Sequence, residues 1–274
     1  MLLSGVLPLQ CTRGGMLAST HGHAVHGWFL DLVARHDVAL AAVLHNGPGP
    51  RPFTLSMVRG GARRAKGTLR LEEGQEAWLR ITSLDGRLTE FLVGLDLECT
   101  GPIPLLGCEF VPGRLRTDAR DHRWARLETF EALLARSGER QAGRIAILFA
   151  SPTTFRSGPE SIPLPLPRLV LRSLAAKWSA FGPAPLDPRL LDEASRALRL
   201  ARYSLSTALL EFPDYRLVGF EGRCEFLLDG ADGEAAQIAR GLLALAFFAG
   251  VGYKTMMGMG QVWPSLALRK AGRR

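Results

Sequence analysis

Three groups of residues have types and spacing suited to chemistry on an anionic partner. In 250-GVGYKTMMGMGQVW-263 four glycines (Gly250, Gly252, Gly258 and Gly260) fall within eleven residues, around Tyr253 and Lys254. Glycine admits positive φ and close backbone approach. Exposed N–H groups in such a loop can cradle phosphate, with Lys254 adding charge, and Tyr253 offers a face on which a base can stack. The segment is not a P-loop, because G-x-x-x-x-G-K-[ST] is absent. It is not a dinucleotide fingerprint either, because it does not open a helix after a strand. The alternative is an ordinary turn whose Met256, Met257 and Met259 pack into the core. A second group, 59-RGGARRAKGTLR-70, carries Arg59, Arg63, Arg64, Lys66 and Arg70. It reads either as an arginine-rich hairpin that tracks phosphates or as a solvated loop. The third group is the histidines, whose imidazoles titrate near neutrality and serve as acid or base. The cluster 21-HGHAVH-26 lacks H-E-x-x-H, so no metal site is expected there. His45 ends 37-DVALAAVLH-45, where a histidine also suits the helix dipole. His122, in the basic stretch 114-RLRTDARDHRWAR-126, is expected to be exposed.

The elements that must position these residues repeat one order. In the second half, 144-RIAILFA-150 is an apolar β-rich run. A Pro/Ser/Gly-dense loop follows over 151–167, then a helix over 167–182 with Pro167 at its start and Gly182 at its end. After a second helical piece, 201-ARYSLSTALLEF-212 and 215-YRLVGFEGRCEFLL-228 read as strands joined at Pro213-Asp214. A helix over 233–250 follows, with Asp232 as N-cap, and 261-QVWPSLAL-268 closes the set. The first half reads likewise: a strand at 2–11, a helical stretch over 24–45 with a break expected near Asp37, strands at 53–60 and 76–84, a helix over 86–97 and a strand at 105–115. Segment 125-ARLETFEALLARSG-138 reads as a linking helix. The expected fold is therefore α+β, two tandem ferredoxin-like βαββαβ domains, 1–140 and 141–274.

The chain has 274 residues, enough for two such domains, and 47% hydrophobic content to fill their cores. Formal net charge is +8, and only four of the 34 basic residues are Lys, the rest being Arg. An arginine-rich surface fits phosphate, which the planar guanidinium grips with paired hydrogen bonds; a genomic bias towards arginine is the other source of such a composition. Cys11, Cys99, Cys108 and Cys224 form no C-x-x-C, which argues against a zinc ribbon or a disulfide framework. The start, MLLSGVLPLQC, lacks a basic region and breaks at Pro8, unlike a signal peptide. The longest apolar run, 241-GLLALAFFAGV-251, is too short to span a bilayer. A soluble cytoplasmic protein is expected.

Three stretches, in order and spacing, carry a family resemblance: GVGYKTMMGMGQV at the C-terminal loop, 148-LFASPTTFRSG-158 followed by 163-PLPLPRLVLRSLAAKWSAF-181 in mid-chain, and 44-LHNGPGPRPFTLSMV-58 in the first half. Together they resemble the RAMP-type endoribonucleases that cut precursor CRISPR RNA within its repeats, the sixth Cas protein family. The resemblance implies RRM-like tandem ferredoxin domains and cleavage without metal or cofactor. The ribose 2′-OH attacks the adjacent phosphate, leaving a 2′,3′-cyclic phosphate and a 5′-OH. By motif position His45 matches the family's catalytic histidine and Arg51 its nearby cation, a charge-stabilising group because guanidinium stays protonated. Some members add a tyrosine about fourteen residues before the histidine. Here that region holds Leu30 and Asp31, so the third role is open, with His26, His36 and Ser56 as candidates. On a continuous helix His26 would stand about five turns from His45, out of reach unless the helix bends back. The RNA-binding set expected from loop, hairpin and resemblance is Arg63, Arg64, Lys66, Arg156, Gly250, Gly252, Tyr253, Lys254, Gly258 and Gly260. Partners implied are CRISPR repeat RNA, subunits of a CRISPR interference complex and a second copy of the chain, with no membrane. The competing readings are a protein that grips repeat RNA without cutting it, a structural RAMP subunit, and, more remotely, a metal-dependent nuclease using His21–His26.

Overall fold

The computed structural model describes residues 1–47, 49–63, 68–138, 143–212, 214–230 and 233–265. Arg64, Lys66, Pro213, Asp232, the expected domain junction near residue 140 and the tail beyond Ser265 lie outside the described residues. Contacts divide the chain into two compact units. The first holds Met1–Glu128 with Leu209–Leu217 and Lys254–Met259. The second holds Thr129–Ala208, Val218–Tyr253 and Gly260–Arg274.

The first unit begins with β1 (Leu2–Arg13) and β2 (Gly15–Leu17), then α1 (Gly22–His36) and α2 (Val38–Asn46). There follow β3 (Phe53–Leu55), β4 (Arg59–Gly60), β5 (Ala62–Arg63), β6 (Leu69–Leu71), β7 (Glu76–Ser83), α3 (Gly86–Gly94), β8 (Ile103–Leu105), β9 (Cys108–Pro112) and β10 (Arg126–Glu128). The main sheet runs β3-β7-β1-β9-β8. Its helix-connected strands thus lie in the spatial order second, third, first, fourth, which defines the ferredoxin-like arrangement. Side chains of β1 alternate between the two faces. Leu3, Leu7, Leu9 and Cys11 join the core with Phe29, Leu32 and Val33 of α1 and Leu88 and Leu92 of α3. On the other face Ser4 meets the buried Arg80, whose Nε donates to Ser4 Oγ at 2.7 Å while its guanidinium lies 4.7 Å from the Trp124 ring centroid. Burial, then the charges of Arg126 and Arg59, push the Arg80 pKa down to about 9.

Residues 126–128, expected as helix, are strand. β9 pairs with β1 only from Leu9 onward, so the early edge of β1 is open. β10 takes it, with Leu2 opposite Glu128 and Ser4 opposite Arg126, because unpaired backbone groups inside a fold need partners. His122 is half-buried rather than exposed: its ring lies 4.8 Å from that of Trp78. Burial, followed by Arg116, Arg123 and Arg80, lowers its pKa.

The second unit contains α4 (Phe130–Gly138), β11 (Arg144–Thr153), β12 (Phe155–Ser157), β13 (Glu160–Ile162), α5 (Pro167–Phe181), α6 (Pro188–Ala197), β14 (Leu198–Glu211), β15 (Arg216–Leu228), α7 (Glu234–Ala249) and β16 (Val262–Pro264). Its sheet, β14-β15-β11-β16, repeats the same strand order. The expected loop at 151–167 contains a small hairpin, Phe155 opposite Ile162. The apolar run 241–251 is mostly the buried end of α7. Against its last carbonyl, that of Ala249, the buried Lys177 of α5 donates its Nζ, and burial lowers that lysine's pKa to about 7. No helix among the described residues is long and apolar enough to cross a membrane.

The helical stretch over 24–45 breaks at Asp37. Asp37 has φ −148° and ψ 91°, ending α1 through its own N–H on Val33 O and capping α2 by accepting the Leu40 N–H at 2.8 Å. Its carboxylate also pairs with Arg87 of α3 at 2.8 Å. The Leu40 N–H first and Arg87 next hold the Asp37 carboxyl below the usual carboxylate range. A depressed native pKa contributes stability above the unfolded-state pKa, and that stability is lost as pH falls through the native one. Wild type should therefore melt higher than Asp37→Ala at neutral pH, and the difference should shrink in acid until the carboxyl is protonated in both states. Thermal melts of both proteins across that range measure it.

Candidate active site

The break at Asp37 turns α2 back on α1, and so His26 and His45 belong to one cluster. His26 is half-buried on α1, its ring stacked on Phe53 of β3 at 6.1 Å and 12°. Burial first, then the charges of His45, Arg51 and Lys254, hold its pKa below that of an ordinary imidazole. His45 is exposed in the last turn of α2. Arg51 folds over that helix end. Its guanidinium donates to the carbonyl of His45 at 2.8 Å and to that of Gly47, satisfying two helix-terminal acceptors. Other N–H groups of the fork are left over for an anion.

His21 is buried at the foot of α1. Its Nε2 accepts the Val58 N–H at 2.9 Å, so the ring proton lies on Nδ1, which donates to Ala18 O at 2.6 Å. Both nitrogens thus serve the backbone. His23 turns its Nδ1 to Thr20 O and His26 stacks on Phe53, so the 21–26 cluster does not converge on a metal.

In the glycine-rich loop the amides of Gly250, Gly252 and Gly260 are engaged within the fold. Gly250, Gly252, Gly258 and Gly260 all have positive φ, from 63° to 88°. But Gly250 N–H donates to Ala246 O, Gly252 N–H to Ser173 Oγ and Gly260 N–H to Pro152 O, while the buried Gly258 bridges Ser56. The glycines are there for close approach. A Cβ on Gly252 would overlap the Thr154 carbonyl, and one on Gly258 would overlap Met57. Met259 is fully buried beside Leu210 and Leu217, as the ordinary-turn reading expected. What the loop offers outward is side chains. Tyr253 is 38% exposed, with Arg156 of β12 over its ring at 5.5 Å. Lys254, at φ 55°, places its ammonium over the rings of Phe212 and Tyr215 rather than out into solvent.

Of the other candidates, Ser56 is buried and its Oγ accepts the Arg80 N–H of β7 at 2.8 Å. His36 is exposed at the end of α1. Its Nδ1 meets Leu32 O at 2.9 Å, and its ring sits edge-on to Phe91 of α3, 6.4 Å away, not among the groups acting on His26. Arg63 lies in β5 opposite Leu69 of β6, at the base of a hairpin. The residue that sequence reasoning set aside is His26, and the signal was Asp37, a helix-capping type inside an apolar helical run.

Two ferredoxin-like units, the first bearing His26, His45 and Arg51, describe a tandem ferredoxin-like protein. The family model for the CRISPR-associated endoribonuclease Cas6 matches residues 147–262, and that for the CRISPR Cas6 N-terminal domain matches residues 1–135. A Cas6 product complex is similar at 30% identity with TM-score 0.78, over 96% of this chain and 100% of that one. A Thermus thermophilus Cas6 is similar at 29% and 0.71, over 96% and 98%. The CRISPR-associated endoribonuclease Cas6 of Mycobacterium tuberculosis is 36% identical over 121 residues, 43% of this chain and 38% of that protein; the match thus spans well under half of that curated relative. The chain belongs to the Cas6 family.

If the loop glycines serve packing, Gly258→Ala should destabilise the protein by more than about 1 kcal/mol, since alanine neither adopts that φ freely nor fits beside Met57. Urea unfolding reads this directly.

Proposed function

We propose that this protein is an endoribonuclease that cuts precursor CRISPR RNA within its repeats, without a metal, by attack of a ribose 2′-OH on the adjacent phosphate. The observation that carries the proposal is the junction of His26, His45 and Arg51 produced by the break at Asp37. The reaction needs a base for the 2′-OH, a proton for the departing 5′-oxygen and positive charge on the phosphorane. His26, whose pKa is lowered first by burial and then by neighbouring groups including Arg51 and Lys254, suits the base. His45, exposed on α2, donates the proton to the leaving group, and Arg51 stabilises the charge that develops on phosphorus. The products are a 2′,3′-cyclic phosphate and a 5′-OH. Similar chains solved as product and substrate-mimic complexes of Cas6 support the RNA assignment. Arg156 and Tyr253 bind the strand, the ring stacking on a base and the guanidinium meeting a phosphate. The cut RNA passes to a CRISPR interference complex, and a homodimer is the assembly to test.

Repeat RNA incubated with the protein in EDTA should be cut. His45→Ala and His26→Ala should each lose about a hundred- to ten-thousand-fold in rate while gel-shift affinity survives. Binding without cleavage by wild type, or cleavage abolished by EDTA, would overturn the reading. The acidic limb of the kcat/KM profile should fall below pH ~6.5, the ordinary imidazole value, because the base stays unprotonated to lower pH. Arg156→Ala should weaken RNA binding and reduce the salt slope by about one, as measured by filter binding over a salt series.

A further inference from the structure

We propose that Phe212 and Tyr215, at the tip of the hairpin between β14 and β15, are positioning residues that hold the Lys254 ammonium on the loop packed against the helix that carries His26. Their role in the reaction rests on the reading of His26 as the base. The two rings stack on each other at 4.7 Å and 19°. Lys254 Nζ lies 5.0 Å from the Phe212 centroid and 4.9 Å from that of Tyr215, an aromatic seat for a cation. The same Nζ also meets Met257 Sδ at 3.6 Å.

The seat is built rather than incidental. Phe212 N–H donates to Tyr215 O at 2.9 Å and closes the tip. Phe212 packs on the Leu210, Leu217 and Met259 cluster. Thr20 Oγ1, two residues before α1, donates to Glu211 O at 3.0 Å and ties the tip to the foot of the helix that carries His26. Lys254 itself is left-handed at φ 55°, a conformation that disfavours every residue but glycine and is kept only where surroundings fix it. The turn that follows Lys254 packs on α1, with the Met257 carbonyl against Gly22, one turn before His26, and the Lys254 charge adds to the causes that lower the His26 pKa. The groups acting on His26 are then His45 from α2, Arg51 from the segment after α2 and Lys254 from the loop, with the uncharged Phe53 beneath. Of the three charged groups, Lys254 is the one whose position depends on residues some forty places away in the chain. An ammonium seated on rings acts on the base through its field, and not as a free phosphate ligand.

The test is a histidine NMR titration of the full chain with a parallel cleavage assay. The variants are Phe212→Leu/Tyr215→Leu, which keeps apolar bulk without ring faces, Lys254→Met, and the conservative Tyr215→Phe. The His26 midpoint should rise in the first two and stay at the wild-type value in the third. At pH ~6 the double variant should cut about three-fold more slowly with KM unchanged, and its rate should recover at pH ~8. Resonances of the buried His21 report that the fold is intact; should the double variant unfold, Tyr215→Leu alone carries the comparison. A wild-type midpoint in the ring variants, or in Lys254→Met, overturns the inference. If the midpoints move as stated but wild type does not cut RNA, the proposed function fails and the seat stands.

Discussion

The arrangement of the first unit depends on one carboxylate. Asp37 stops α1 in an extended conformation and in the same place starts α2 by accepting the Leu40 N–H, while Arg87 of α3 holds it from the side. A helix running straight from Gly22 to Asn46 would carry His45 roughly 28 Å along the axis from His26, at 1.5 Å per residue. Broken and folded back, the same residues put two imidazoles within each other's electrostatic reach. Arg51 then performs two tasks with one side chain. It closes the helix end at His45 and Gly47, and it adds a permanent positive charge to the surroundings of His26.

The glycine-rich loop shows how a motif's conformation and its apparent purpose can separate. All four glycines adopt φ values that other residues avoid. Yet three of the amides they would present, those of Gly250, Gly252 and Gly260, are spent on Ala246, Ser173 and Pro152. The backbone at these glycines is tied inward, and what the turn displays is side chains: an exposed tyrosine under an arginine, and a lysine held over two rings.

Much of this was readable in the chain. The repeated strand–helix order of the two halves, the proline and glycine that bound α5, and the long apolar run in α7 point to both ferredoxin-like units from the sequence alone. What escaped had physical causes. Residues 126–128 are strand because β9 leaves an edge of β1 open, a fact of pairing that no local propensity contains. The 151–167 stretch carries a short hairpin inside a composition that reads as loop. Ser56 sits in a polar-looking segment but lies under the sheet, accepting from Arg80. His26 was discounted on the geometry of an unbroken helix, although the break at Asp37 was itself anticipated. The half-buried state of His122 depends on Trp78, more than forty residues earlier.

One contact ties these parts together mechanically. Gly22, in the first turn of α1, lies so close to the Met257 carbonyl that no side chain fits between them. Gly22 and His26 are one turn apart on the same face of that helix. A displacement of the loop is therefore passed, through backbone alone, to the helix bearing His26. Insertions, deletions or bulkier residues at either end of this contact would shift the His26 imidazole without altering His26, His45 or Arg51. Variation in loop length among relatives should thus be accompanied by compensating change at the root of α1.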